Sequence, residues 1–215
     1  MLRKTTCLGG LSLILASCGG GGNGSSTPVL SSGLKIFVTA NKHIGDFKND
    51  PLLQGTTAVS KADSFCNNDP NKPNNSSYKA LIVDSVNRSP INNNDWVFKP
   101  NTTYYRSYNN IKIGDTINSA IFPVFFADLT NSVSDIDNSS GSDPLILPNT
   151  VWTGIYDATF APTSTSENCA DWSFNSHGAA SGLTGTINMK NRQSFSNIGT
   201  VGCDFKASLY CVEQP

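Results

Sequence analysis

The chain has 215 residues, of which 38% are hydrophobic and 14% are charged, and its formal net charge is −1 at pH 7. This is enough apolar material for one folded domain with a buried core. Because neither sign of charge dominates, the composition excludes the strongly basic surface with which proteins bind nucleic acid or anionic lipid headgroups.

The first eighteen residues have the pattern of a processing signal. Arg3 and Lys4 precede an apolar run that is too short to span a bilayer as a helix. The run ends in Leu15-Ala16-Ser17-Cys18, which resembles a bacterial lipobox. We therefore expect residues 1–17 to be a lipoprotein signal peptide and Cys18 to carry acyl chains such as palmitate. An ordinary secretory peptide that contains a cysteine is the alternative.

The residues after Cys18 predict a location and a tether. Gly19 stands where an aspartate would favour retention in the inner membrane. We expect a lipid-anchored protein of the outer membrane or the cell surface. Residues 18–33 are mostly Gly and Ser after the cysteine and predict a flexible tether. The folded domain is then expected at residues 34–215.

Four cysteines remain once Cys7 is removed with the signal and Cys18 is acylated. They are Cys66, Cys169, Cys203 and Cys211. An even number of cysteines outside the cytoplasm predicts two disulfide bonds. Four cysteines allow three connectivities, and spacing does not choose among them.

The first half of the domain predicts a strand, a short helix and a second strand. Residues 34–40 are rich in β-formers and bounded by turn residues. Behind Thr56 or Thr57 as N-cap, apolar residues recur at helical spacing and place Cys66 on the buried face near the helix end. Residues 78–84 predict the second strand.

The middle of the domain is less regular. Residues 104–108 and 111–113 predict two short strands joined by a turn. Residues 120–129 are almost continuously apolar, but Pro123 cannot donate to a ladder, so they form an edge strand or a buried loop wall. Residues 131–143 predict a polar, acidic loop.

The last part predicts three further strands and a loop. The strands are expected at residues 151–156, 169–174 and 207–213, the last apolar enough to be central, and the loop at residues 175–185. The predicted fold class is therefore α+β, with a short helix, a twisted and mostly antiparallel sheet, and long loops.

Short motifs are spread over this whole domain. They include Trp152-Thr153-Gly154, Asn168-Cys169 with Trp172, and the closing Leu209-Tyr210-Cys211-Val212-Glu213-Gln214. In these motifs the chain resembles a bacterial lipoprotein family of unknown function whose domain is C-type lectin-like and endostatin-like. The resemblance implies a C-type lectin-like fold, in which the helix cysteine pairs with the last-strand cysteine. Cys66 would then join Cys211, and Cys169 would join Cys203.

Calcium-dependent sugar binding by C-type lectins uses Glu-Pro-Asn or Gln-Pro-Asp together with Trp-Asn-Asp, and these tripeptides do not occur in the chain. The nearest matches offer oxygen ligands in another order. The candidate ligand-binding residues are Glu167, Asn168, Asp171 and Trp172. We expect no cofactor and no metal, and calcium remains an alternative without motif support. For Trp172, and likewise for Trp152, core packing between the loop region and the last strand is the other interpretation.

Residue patterns typical of catalysis are weak. His43 and His177 have no metal-ligand neighbours at suitable spacing, so both are expected on the surface. No Gly-x-Ser-x-Gly elbow occurs, and we expect no enzyme. Four tyrosines are candidates either for a ligand surface or for ordinary alternation in a sheet: Tyr104, Tyr105, Tyr108 and Tyr156.

The expected function is recognition. The anchor, tether and loop-rich domain favour a binding module of the cell envelope, a candidate adhesin with a protein or glycan ligand and no nucleic-acid partner. One alternative is an envelope enzyme acting on polysaccharide, with two carboxylates about 5–9.5 Å apart drawn from Asp135, Asp137, Asp143, Glu167 and Asp171. Another is a structural envelope lipoprotein without a small ligand.

Overall fold

Two mixed sheets carry the domain in the computed structural model. The structure describes residues 33–91, 93–118, 131–136, 146–156, 165–176, 178, 180–196 and 199–215, all within one compact unit, Ser31–Pro215. Cys18, the tether up to residue 32 and the apolar run at residues 120–129 lie outside the described residues. Within the described part, no helix is long and apolar enough to cross a membrane.

The first sheet has five strands in the order β2-β9-β1-β3-β4. Only β1 and β3 run parallel in it; the other neighbours are antiparallel. Its strands are β1 (Leu34–Val38), β2 (Tyr78–Ala80), β3 (Thr103–Arg106), β4 (Lys112–Asp115) and β9 (Tyr210–Glu213). The closing motif therefore lies in a central strand, as its apolar composition predicts.

The second sheet has four strands in the order β7-β6-β5-β8, with β5 and β8 parallel. They are β5 (Ile146–Trp152), β6 (Ser181–Thr186), β7 (Thr200–Gly202) and β8 (Lys206–Ser208). The prediction of one strand over residues 207–213 is wrong in this respect: the chain leaves the second sheet after Ser208 and joins the first sheet at Tyr210.

The prediction of a loop over residues 175–185 is wrong in its second half, where strand β6 begins at Ser181 despite the glycines of this segment. A Cβ atom on Gly182 would lie 2.5 Å from the Trp152 ring. Glycine in a strand often marks such a close approach. The residue is small because a neighbouring tryptophan needs the space, which the sequence pattern does not show.

Helix α1 (Ala58–Asn67) agrees with the prediction. Thr57 is the N-cap and forms a reciprocal capping box with Ser60, which satisfies two free amides of the first turn. Cys66 is fully buried near the helix end. With this ten-residue helix among nine strands of the described chain, the domain is mostly β rather than an even α+β mixture.

Two buried disulfide bonds connect Cys66 with Cys211 and Cys169 with Cys203. This is the pairing that the resemblance implies. The first bond ties α1 to the central strand β9. Its partners lie 145 residues apart, against 34 for the second bond. In the chain-entropy model the two bonds stabilise by roughly 5 and 4 kcal/mol.

Residues 81–84 link the two sheets instead of extending β2 to residue 84. The Leu81 amide donates to the Tyr210 carbonyl at 2.8 Å, and the Val83 amide donates to the Thr153 carbonyl at 2.9 Å. The segment is completely buried through Val83, which explains its strand-like apolar composition.

A buried guanidinium fixes α1 against this segment. Arg88 is fully buried and forms two hydrogen bonds to the Asp63 carboxylate, at 2.8 and 2.7 Å, and one to the Ala80 carbonyl at 2.7 Å. It also contacts Asp95, whose second partner is Lys79. Burial raises the pKa of Asp95, but the charges of Arg88 and Lys79 outweigh it and hold that pKa below its usual value.

We predict that Arg88→Met lowers the free energy of unfolding by about 3 kcal/mol or more, because it leaves the Asp63 carboxylate without its buried partner. Urea denaturation measures the change. Lys112→Met is the control: its exposed pair with Asp115 is worth at most about 1 kcal/mol. A loss at Arg88 no larger than the loss at Lys112 would contradict the role assigned to this guanidinium.

Candidate functional site

Two of the predicted ligand residues, Asp171 and Trp172, lie on a left-handed helical turn that follows Glu167 and Asn168. The prediction of a strand at residues 169–174 is wrong. Cys169, Ala170, Asp171 and Trp172 have φ values of 53°, 53°, 54° and 59°. The Trp172 amide donates to the Asn168 carbonyl at 2.8 Å, which closes the turn. Left-handed helical backbone costs L-residues roughly 1–2 kcal/mol each, so other contacts must hold the turn.

Polar contacts of Asn168 and Asp171 hold one side of the turn. The Asn168 side chain accepts a hydrogen bond from the Asp171 amide at 2.9 Å and donates to the Asp171 carboxylate at 2.8 Å. The same carboxylate accepts from the Ser85 amide at 2.9 Å and from the Ser85 hydroxyl at 2.5 Å. These bonds join the turn to a segment 86 residues away.

Trp172 and the second disulfide hold the other side. The Trp172 indole donates to the Val83 carbonyl at 2.8 Å, and its ring packs edge-on against Trp152 and Phe47. Gly154 has a φ of +66°, and a Cβ atom there would lie 2.9 Å from the Trp172 ring. The core-packing interpretation is confirmed for both Trp172 and Trp152, which are fully buried.

The structure thus places Glu167, Asn168, Asp171 and Trp172 side by side and gives three of them internal partners. Asn168 is fully buried, and both carboxylate oxygens of Asp171 are engaged. Glu167, which ends the short 3-10 helix Thr165–Glu167, is partly exposed. Ligand binding by this set stays a prediction, because the contacts that the structure shows are those of a structural clamp.

His43 differs from the prediction of a surface histidine. Its side chain is only 11% exposed and stacks on Phe47 with ring centroids 4.2 Å apart. One ring nitrogen lies 3.0 Å from the Asp50 carboxylate and the other 2.6 Å from the Ile44 carbonyl. His43 therefore stabilises the loop between β1 and α1. In the sequence, the pairing is indicated only by the acid Asp50, seven positions after the histidine. His177 lies outside the described residues.

A cleft of about 310 Å³ lies beside the end of β1. Among the described residues that line it, apolar side chains are the majority and the polar side chains are neutral. The lining residues are Ile36, Phe37, Val38, Thr39, Ala40, Asn71, Ser107, Tyr108, Val133, Ser134, Ile136 and Ile187.

One wall of the cleft is held by a buried arginine. The Arg106 guanidinium donates to the Ser132 carbonyl at 2.7 Å, to the Asp135 carboxylate at 2.6 Å and to the Tyr108 hydroxyl at 3.1 Å. The Tyr108 hydroxyl in turn contacts the Asp135 carboxylate. Hydrogen bonds from Tyr108 and Arg106 hold the pKa of Asp135 below its usual value. Tyr108 is therefore fixed at the cleft with its ring exposed.

Sequence reasoning found only part of this cleft. Tyr108 is one of the four tyrosines that the sequence offers as candidates for a ligand surface. Tyr104, another of the four, is buried in the core, and burial raises its pKa to about 12. No sequence pattern marks Asn71, Ser134 or Ile136 as residues of a cleft, because neutral residues of this kind occur throughout the loops. Of the five acids considered for catalysis, Asp137 and Asp143 lie outside the described residues.

The described residues contain no group of three or more His, Cys, Asp or Glu side chains arranged to hold a metal ion. The described lining of the cleft offers hydrogen bonding and ring stacking by neutral groups.

We predict that Ala170→Gly raises the free energy of unfolding by ~0.5–1 kcal/mol. Relief of the left-handed strain, about 1–2 kcal/mol, exceeds the entropic cost of glycine, about 0.5–1 kcal/mol. Ala62→Gly in the right-handed helix α1 is the matched control and should lower stability by about 1 kcal/mol or more. Thermal or urea denaturation gives both values; a loss of stability at residue 170 would contradict the left-handed turn.

Comparison with known proteins gives a family and no described activity. A family model of proteins of unknown function, DUF1554, matches residues 53–190. The match covers more than half of the chain and runs from the loop before α1 to just beyond β6. No curated protein matches the chain. The chain therefore belongs to the DUF1554 family of proteins of unknown function.

Proposed function

We propose that the protein is a lipid-anchored envelope protein whose domain binds a protein or glycan ligand at the outer membrane or the cell surface. The cleft beside β1 carries this proposal. It combines an apolar floor, an exposed aromatic wall and neutral polar groups, which is the composition typical of ligand sites.

The anchor and the fold support the same function. The lipobox at Cys18 and the Gly/Ser tether would hold the domain at a membrane while leaving it free to reach a partner. We also propose that the domain is C-type lectin-like. The disulfide pairs Cys66–Cys211 and Cys169–Cys203 support this assignment. Such a fold is compatible with binding but does not by itself define a ligand.

We propose binding rather than catalysis, because two of the three described acids considered for catalysis have structural hydrogen-bond partners. Asp135 pairs with Arg106 and Tyr108, and Asp171 pairs with Ser85 and Asn168. A carboxylate committed to a structural hydrogen bond is a poor candidate for proton transfer to a sugar.

We predict that Cys18→Ser moves the protein from the detergent phase to the aqueous phase when cell extracts are partitioned with a phase-separating detergent. Without the thiol there is no site for the acyl chains that anchor the protein. Cys7→Ser, within the signal peptide, is the matched control and should stay in the detergent phase. A Cys18→Ser protein that remains there would contradict the lipid anchor.

We predict saturable binding when the full-length protein, purified in detergent micelles, is applied to an array of glycans and extracellular matrix proteins. Binding should persist with a calcium chelator, since the tripeptides with which C-type lectins bind calcium and sugar do not occur in the chain. The fitted dissociation constants with and without chelator measure this. An array with no saturable ligand in either condition would count against the binding function.

A further inference from the structure

We infer that the cleft binds an uncharged, N-acetylated hexosamine unit of a glycan. The inference rests on the proposed binding function and names the ligand class. Four properties of the cleft support it: the charge of its lining, its size, the fixed tyrosine ring and the distribution of neutral polar groups.

The described lining disfavours a charged ligand group. None of the twelve lining residues that the structure describes carries a charge. The nearest charged side chains named at the wall, Arg106 and Asp135, neutralise each other through a direct hydrogen bond of 2.6 Å. Because an unpaired charge loses much solvation when it is buried, a neutral group fits this site and an ammonium or carboxylate does not.

The size of the cleft limits the ligand to one ring. Ligand pockets commonly measure about 300–1,000 Å³, and this cleft lies at the lower end with about 310 Å³. A longer glycan would therefore place a single unit in the cleft and keep its other units outside.

Tyr108 provides a fixed surface for that ring. The side chain is 45% exposed, yet its hydroxyl accepts hydrogen bonds from Arg106 at 3.1 Å and from the Asp135 amide at 3.2 Å. A ring held in this way loses little freedom on binding. The C–H face of a pyranose is apolar and slightly positive, so it packs favourably on the negative face of an aromatic ring.

Asn71 provides an acceptor for a ligand amide. Its amide nitrogen donates to the Val38 carbonyl at 2.9 Å, which leaves the side-chain oxygen as the free acceptor. Among the described residues, no donor is bonded to this oxygen. An acetamido N–H can pair with it, while the methyl group of the acetamide contacts the apolar floor of Val38, Val133 and Ile187.

The same groups disfavour an apolar peptide side chain in the cleft. Such a side chain would cover Val133 and Ile187 but would offer no hydrogen bond to the Asn71 oxygen or the Ser107 hydroxyl, neither of which has a hydrogen-bond partner among the residues that the structure describes. Covering unpaired polar groups costs about 1–3 kcal/mol each. A glycan unit supplies donors for both, and so the observations favour the sugar.

The test is calorimetric titration of the full-length protein in detergent micelles with a trimer of N-acetylglucosamine and, separately, with a trimer of glucose. Both ligands are neutral and differ in the acetamido group. We expect saturable binding of the acetylated trimer and at least about tenfold weaker binding of the glucose trimer, because the amide and methyl contacts are lost. Equal affinity for the two trimers would overturn the acetamide assignment.

Matched variants locate the site. Tyr108→Ser should abolish binding, whereas Tyr156→Ser should not, although Tyr156 is equally exposed at 44%. Because Tyr108 also contacts Arg106, its substitution could disturb the wall of the cleft, and a second variant is needed that leaves this contact intact. Ile136 is 56% exposed, and Ile136→Ala should weaken binding about fivefold through lost apolar contact. Ile91→Ala, at a residue 59% exposed, is its control.

Two further outcomes would overturn the inference. One is binding of the acetylated trimer that is unchanged in both Tyr108→Ser and Ile136→Ala. The other is that some ligand binds saturably on the glycan and matrix-protein array while the acetylated trimer does not bind. That result would overturn the ligand class but leave the binding function intact. Absence of any ligand in both assays would instead overturn the binding function as well.

Discussion

The contact between the Trp172 indole and the Val83 carbonyl is the interaction on which the arrangement of the two sheets depends. Val83 belongs to the segment that leaves the first sheet after β2, and its amide binds Thr153 at the end of β5 in the second sheet. Trp172 meets that junction from a third segment and packs on Trp152. A buried indole needs a hydrogen-bond acceptor as well as apolar neighbours, and this junction supplies both.

The contact of Trp172 with Val83 requires the unfavourable left-handed turn. Four consecutive L-residues adopt a conformation that none of them prefers, and the Cys169–Cys203 bond and the Asp171–Ser85 hydrogen bonds offset the strain. Backbone strain of this kind is often found near functional sites. In this domain the neighbouring groups are occupied by structural contacts, so the turn is explained by the packing that it makes possible.

At the cleft beside β1 the charged groups of the wall pair with each other, and the described lining residues are neutral. Arg106 is buried, and its hydrogen bonds to Ser132, Asp135 and Tyr108 account for its charge. Elsewhere Arg88 plays a similar part with Asp63 and Asp95. Because Arg106 and Asp135 pair with each other, the described lining of the cleft next to Tyr108 is neutral, and the recognition that we propose there would depend on shape, stacking and hydrogen bonds.

The local features of the domain could be predicted from sequence because they depend on neighbouring residues. Thr57 caps α1 through residues of its own first turn, Cys66 follows from helical spacing, and the apolar closing segment becomes a central strand. The left-handed turn, the strand β6 and the cleft required the tertiary structure. The turn allows Trp172 to reach Val83, 89 residues away, and a strand position holds Gly182 because Trp152 packs against it and leaves no room for a side chain. The cleft joins Asn71, Tyr108 and Ile136, which no sequence period relates, because packing between distant segments places them around one space.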